Sequence, residues 1–235
     1  MPVHATTMLD DIGSSSRNIP VGTPYVAGYV TGIGDVPWTP AEFARFAGSR
    51  IVRINQGAGN AVGPHDYDVL DVEQYAVTPG GAAQAHKARV DAGIPWTTIY
   101  GTDSTIQQVV NDIRALGDNY WIGHVNVWLA NWNLNLGEAT ALLGTEIHGA
   151  SCIGVQWASP SSNPNTQVPG GTGTLSQDDI DISVVDGTWI PSGGFAGNVP
   201  TPPPPTTYTG ILVTHDANGA FLARQITSTD DIHWQ

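Results

Sequence analysis

The chain has 235 residues, 40% hydrophobic and 12% charged, with a formal net charge of −13. That hydrophobic share supports a packed core and excludes a disordered chain. Only eight Lys and Arg are too few to track phosphates, which excludes nucleic acid and an anionic membrane surface.

Residues 1–24 are polar, rich in Gly and Ser and without period, and read as an extended N-terminal arm. The opening "MPVHATTMLDDIGSSSR" lacks the basic start and apolar h-region of a signal peptide. No stretch reaches transmembrane length. The expectation is a protein made in the cytoplasm without a signal peptide, so that any export uses another route.

From Tyr25 to residue 198, short apolar runs alternate with helix-like segments. The strand-like runs are "YVAGYVTG", "RIVRIN", "YDVLDVE", "PWTTIYG", "NYWIGHVNVW", "CIGVQWAS" and "IDISVVDG". "TPAEFARFAG" opens on Thr39 as N-cap with Pro40 behind it and stops at Gly48. "GGAAQAHKARVDAG" stops at Gly93, "DSTIQQVVNDIRALG" starts at Asp103 or Ser104 and stops at Gly117, and "GEATALLGTE" is shorter. This alternation implies a parallel sheet. The expected fold is α/β: a compact (β/α) barrel of the TIM type, with an open doubly wound sheet as the alternative. Cys152 sits in the apolar run "GASCIGVQW" and reads as a small core residue rather than a reactive thiol.

"GNVPTPPPPTTY" marks a boundary, and residues 199–206 read as a stiff polyproline spacer. Beyond it, residues 207–235 carry two short apolar runs around "DANG", a hairpin signal. An isolated hairpin is marginal in water. This one is expected to serve assembly, with the N-terminal arm, in a homo-oligomer or a larger assembly.

The chemistry concentrates in "DYDVLDVEQY". Residues two apart on a strand share a face, so Asp71 and Glu73 are expected to point the same way at the end of a barrel strand, where parallel barrels hold their active sites. Other strands end in Asn55, Tyr100, His124, Trp128, Gln156 and Trp157; Asp35 follows one strand and Asp181 opens the last. Carboxylates, amides and aromatic faces together suit a sugar. Trp128, Trp132 and Trp157 are the candidate aromatic platform, and Trp96, Trp121 and Trp189 read as core. Asp66 and Asp68 read as solvated or turn residues, and Asp103 as a helix cap. A blander reading of Asp71 and Glu73 pairs them with Arg53 and Arg89. There is no GxGxxG, no GxxxxGK[ST] and no calcium-loop glycine among the acids, so neither a metal nor any other cofactor is expected.

Several motifs occur in the order of a known family. "YDVLDVEQY" is similar to the Asp-x-Glu strand of glycoside hydrolase family 25, the Chalaropsis-type lysozymes of bacteriophages and actinobacteria. "GIPWTTIYGT", "NYWIGHVNVW", "GVQWASPSS" and "DISVVDGTW" resemble its later strands. The resemblance spans Tyr25 to Pro191. It implies a (β/α) barrel that cleaves the β-1,4 bond between N-acetylmuramic acid and N-acetylglucosamine in peptidoglycan. It also implies Glu73 as general acid, Asp71 as the carboxylate beside it and Asp181 as the acid of the closing strand. That family opens with an Asp on its first strand. "VAGYVTGIGD" has Gly and Tyr at that place and an acid only at Asp35, so one expected acid is missing.

Two readings follow. One is a cell-wall glycan hydrolase. The other is a phage tail or surface protein that uses a degenerate lysozyme-like barrel for carbohydrate binding or as architecture.

Overall fold

The structure, a computed structural model, describes residues 3–11, 16–32, 37–57, 63–73, 76–94, 96–121 and 124–189, and the backbone of 208–215 and 221–228. The chain divides into two compact units, Met1–Gly194 and Phe195–Gln235.

The first unit is a closed mixed barrel of eight strands, built from β1 (Ala5–Asp11), β2 (Tyr25–Thr31), β3 (Arg50–Asn55), β4 (Val69–Asp71), β5 (Thr97–Gly101), β6 (Val125–Ala130), β8 (Ala150–Ala158) and β9 (Asp181–Asp186). A two-residue strand, β7 (Glu146–Ile147), hangs on β8. Each strand from β1 to β6 runs parallel to the next, and β6 pairs parallel with β8. The closing strand β9 is antiparallel to both its neighbours, β8 and β1. The α/β barrel expected from the alternating pattern is therefore present, with one reversed strand.

Among the described residues, five α-helices flank the strands: α1 (Pro40–Ala44), α2 (Pro79–Asp91), α3 (Asp103–Ala115), α4 (Leu136–Leu142) and α5 (Leu175–Asp178). Their starts follow capping chemistry. Thr39 with Glu42 and Asn135 with Glu138 form reciprocal capping boxes, which satisfy backbone N–H groups that the first helical turn leaves open. Thr102, not Asp103, is the cap residue of α3. Ile106, Val109, Val110 and Ile113 make the buried stripe of α3 at helical spacing. Each contributes about 1.5–3 kcal/mol relative to exposure.

Strand alternation sorts the core into layers. Met8, Ala27, Val52, Ile54, Val69, Tyr100, Trp128 and Val185 fill the inside of the barrel. Leu70, Ile99, Val127, Cys152 and Val155 face outward under α2, α3 and α4. Leu9, Val26, Ala158 and Ile182 face outward under Trp38, Phe43, Phe46 and Leu175. Gly28 on β2 has no side chain because the Trp38 ring lies against it; a Cβ there would come within 2.3 Å of that ring.

The N-terminal arm expected over residues 1–24 is corrected. Ala5–Asp11 is a central strand that hydrogen-bonds β2 on one side and β9 on the other. Met8 and Leu9 are fully buried, one on each side of the sheet. Without this strand the barrel would carry two open edges.

The second unit is an antiparallel pair, β10 (Tyr208–His215) and β11 (Phe221–Ser228), with Tyr208 opposite Ser228 and His215 opposite Phe221. The expected hairpin strands are thus present. The proline spacer and the "DANG" turn lie outside the described residues. No helix among the described residues is long and apolar enough to cross a membrane.

Candidate functional site

Seven parallel strands bring their C-terminal ends to one mouth, and β9 brings its start there. The mouth holds a cavity of about 340 Å³, within the range of small-ligand sites. It is lined by Asp10, Asp11, Tyr29, Glu73, Tyr100, Trp132, Gln156, Ser159, Pro160, Ser161, Asp179 and Asp181. Five of these residues are carboxylates, and none is Lys or Arg.

Asp10 and Asp181 are direct partners in the β1–β9 ladder. Asp10 is buried, and its Oδ2 accepts from Gln156 Nε2 at 3.3 Å. Its Oδ1 is buried without a hydrogen-bond partner. Burial raises the Asp10 pKa well above the ordinary value, and the charges of Asp181, Asp11, Asp71 and Glu73 push it the same way. The Asp181 carboxyl rises to about 7, first by burial and then by the charges of Asp179 and Glu73. Burial in low dielectric and like charge both disfavour the ionised form. Both carboxyls therefore hold a proton more firmly than an ordinary aspartic acid does. Tyr29 and Tyr100 are held neutral by burial and the same acids.

Gln156 is the hub of the polar network. Its Oε1 accepts from the Tyr100 hydroxyl at 2.6 Å and from Trp132 Nε1 at 3.0 Å. Below it, Trp128 packs against Tyr100 with ring centroids 4.7 Å apart and donates from Nε1 to Ser183 Oγ.

The residues singled out from sequence separate as follows. Glu73, Tyr100, Gln156 and Asp181 line the mouth together. Glu73 lies just past the end of β4 and is exposed, whereas Asp71 ends that strand and is buried. Asp71 Oδ2 accepts from Gln56 Nε2 at 3.1 Å. Trp128 belongs to the barrel interior beneath the mouth. Asn55 does not line the mouth; its Oδ1 accepts from Thr31 Oγ1 and from the Gly57 backbone N–H, so it ties down the loop after β3. Trp157 follows Gln156 by one residue, faces the opposite side of the sheet and packs against the outer apolar layers. His124 precedes the first residue of β6 and so lies at the other end of the barrel. Asp35 lies outside the described residues.

Arg53 and Arg89 have partners below the mouth. Arg53 bonds Asp68 at 3.3 Å, both buried, so Asp68 is not solvated. The buried Arg89 guanidinium donates to the carbonyls of Pro64, Tyr67 and Trp96. Asp66 does hold a turn, accepting from Gly63 N.

Asp10, Asp11, Tyr29 and Asp179 join the site without having been singled out. The signal for the first two was present in "TTMLDD", an apolar pair running into two acids. The first long apolar run starts only at Tyr25, one strand later. The run "VAGYVTGIGD" is β2, and Asp10, next to last in β1, brings an acid to the mouth from the strand before it. No cluster of His, Cys, Asp and Glu with metal-holding geometry occurs among the described residues. Comparison with protein-family models, with curated proteins and with solved structures finds no match for this chain.

Proposed function

We propose that the barrel mouth is a glycosidase site acting on the β-1,4-linked glycan of peptidoglycan. One observation carries the reading: a buried acid, Asp10, shares a single cavity with Glu73, Asp181 and the aromatic side chains of Tyr29, Tyr100 and Trp132. Glycoside hydrolysis needs one carboxyl that keeps its proton and another that stays charged, and crowding of like charges pushes their pKa values apart. Glu73, exposed at the rim, gives the glycosidic oxygen its proton in this reading. Asp71, behind it, contributes charge. Asp10 and Asp181 face the sugar from the opposite wall, and the aromatic rings cover its apolar face. The five carboxylates of the mouth, with no Lys or Arg among the described lining residues, favour a neutral stretch of glycan over an anionic one. The test is release of reducing ends from purified peptidoglycan, with Glu73→Gln as control. Release by the wild type alone supports the reading, and equal release by both removes it.

A second reading is a particle component that binds glycan without cleaving it. It draws support from the separate two-stranded unit of β10 and β11, since a lone hairpin gains stability from further strands. Binding of soluble peptidoglycan without release of reducing ends would favour it.

A further inference from the structure

Gln156 has a fixed amide orientation. An indole N–H can only donate, so the atom facing Trp132 Nε1 at 3.0 Å has to be the amide oxygen. The Tyr100 hydroxyl reaches the same oxygen at 2.6 Å. The amide nitrogen is thereby turned onto Asp10 Oδ2 at 3.3 Å, where it can only donate. Asp10 Oδ2 is thus an acceptor, and a proton on that carboxyl belongs on Oδ1. That second oxygen is buried and without a protein partner, in a residue that lines the cavity.

We infer that Gln156 is a positioning residue: locked by Trp132 and Tyr100, it decides which oxygen of Asp10 carries the proton and presents Asp10 Oδ1–H to an acceptor oxygen of a bound ligand. The inference specifies one interaction within the proposed glycan site and rests on that reading only for the nature of the ligand. The elevated pKa of Asp10 is consistent with it. The lock comes first from the sequence. Trp132 follows β6 by two residues and Tyr100 sits on β5, so neighbouring parallel strands deliver both donors to the inward-facing side chain of β8.

Replacing Trp132 by Phe removes the one partner that cannot accept. The remaining Tyr100 hydroxyl both donates and accepts, so the amide is free to turn its oxygen toward Asp10. A carboxyl facing an acceptor keeps its proton longer than one facing a donor.

The experiment is a carbon-13 carboxyl titration of Asp10 by NMR in the full-length wild type, Trp132→Phe and Gln156→Leu. The expected result is an Asp10 midpoint higher by at least half a unit in both variants. Amide spectra elsewhere stay unchanged. Trp132 is only half-buried, so Trp132→Phe carries the test alone should Gln156→Leu fail to fold. An unmoved midpoint in a folded Trp132→Phe variant overturns the inference and leaves Gln156 as a space-filling side chain. The titration needs no ligand, so it is independent of the glycosidase reading. Adding a tetramer of N-acetylglucosamine separates the two. A further rise of the wild-type midpoint that Trp132→Phe lacks supports the donor role. A tetramer that binds, by shifts at Tyr100 and Trp132, and leaves the wild-type midpoint unmoved refutes that role. No binding at all counts against the glycan reading, and the titration alone then decides the positioning role.

Discussion

Asp10 and Asp181 stand directly opposite each other on antiparallel strands that close the barrel. Their carboxyls are both pushed up by burial, and the charge of Asp181 adds to the rise at Asp10. A folded-state pKa above the unfolded value means that the native protein holds extra protons between those two values. Stability is then greatest at and below the unfolded pKa, near 4, and falls as pH rises through the folded pKa. For Asp181 that window runs from about 4 to about 7. Asp181→Asn is therefore expected to raise the melting temperature at pH 8 and to leave it unchanged or lower at pH 4. The gain at pH 8 is about 2 kcal/mol, the order for a shift of a few units partly screened by solvent. Asp10→Asn has the same sign. Thermal unfolding across pH 4–8 checks this, and equal curves for wild type and Asp181→Asn would refute it.

Asp179 widens that window beyond what burial alone sets. Its backbone lies in the left-handed region at φ 55°, where a non-glycine residue costs on the order of 1 kcal/mol. Its charge is the first electrostatic cause, after burial, of the raised Asp181 pKa. Asp179→Gly removes both the strain and the charge. The Asp181 midpoint should drop from about 7 toward the ordinary carboxylate range, and the protein should gain stability at pH 8. Carboxyl NMR of Asp181 reads this directly. A midpoint that stays near 7 would mean that burial alone sets it.

Much of the fold was legible because the runs "RIVRIN", "TTIYG" and "DISVVD" are short, β-rich and bounded by turns, and they became β3, β5 and β9. β1 escaped because its apolar core, "ML", is only two residues long and runs into Asp10 and Asp11, a pattern that reads as a polar tail. The error at Trp157 is one of parity. Side chains alternate along a strand, so Gln156 and Trp157 could not both face the mouth, and the hydrogen bonds to Asp10, Tyr100 and Trp132 decide for Gln156. His124 was misplaced because β6 begins one residue later, at Val125. A strand's direction through the sheet, which decides which end meets the site, is not written in its composition.

The proposed glycosidase activity makes its own demand on Glu73. As an exposed rim residue it can lose its acid without disturbing the core. Glu73→Gln is expected to lower turnover on peptidoglycan by ~10²–10⁴-fold, the usual contribution of a positioned general acid, with an unchanged melting temperature. Asp71→Asn should cost less in turnover but more in stability, because Asp71 is buried and accepts from Gln56. Reducing-end release beside thermal unfolding separates the two effects.

Packing on the outer wall can be tested without reference to the site. The Trp38 ring lies where a side chain at position 28 would stand. Trp38 also donates from Nε1 to the carbonyl of Asp11 at 2.9 Å, so the ring cannot slide away without breaking a buried bond. Gly28→Ala should cost about 1–3 kcal/mol through this overpacking. Urea unfolding measures it. A loss under 0.5 kcal/mol would show that the ring moves freely.

The hairpin makes the last prediction. β10 and β11 pair only with each other among the described residues, in a unit of their own. A two-stranded sheet leaves a row of backbone donors and acceptors along each outer edge, and it is marginally stable until more strands join it. The barrel closes through the pairing of β1 with β9. A chain ending at residue 194 should therefore fold with the same melting temperature as the full chain and keep any glycan binding. If the edges recruit further strands from identical chains, the full-length protein should run as an oligomer and the truncated one as a monomer, as light scattering coupled to size exclusion would report. A full-length monomer at micromolar concentration would reject self-assembly through the hairpin. A truncated chain that unfolds would instead mean that the barrel depends on contacts from beyond residue 194.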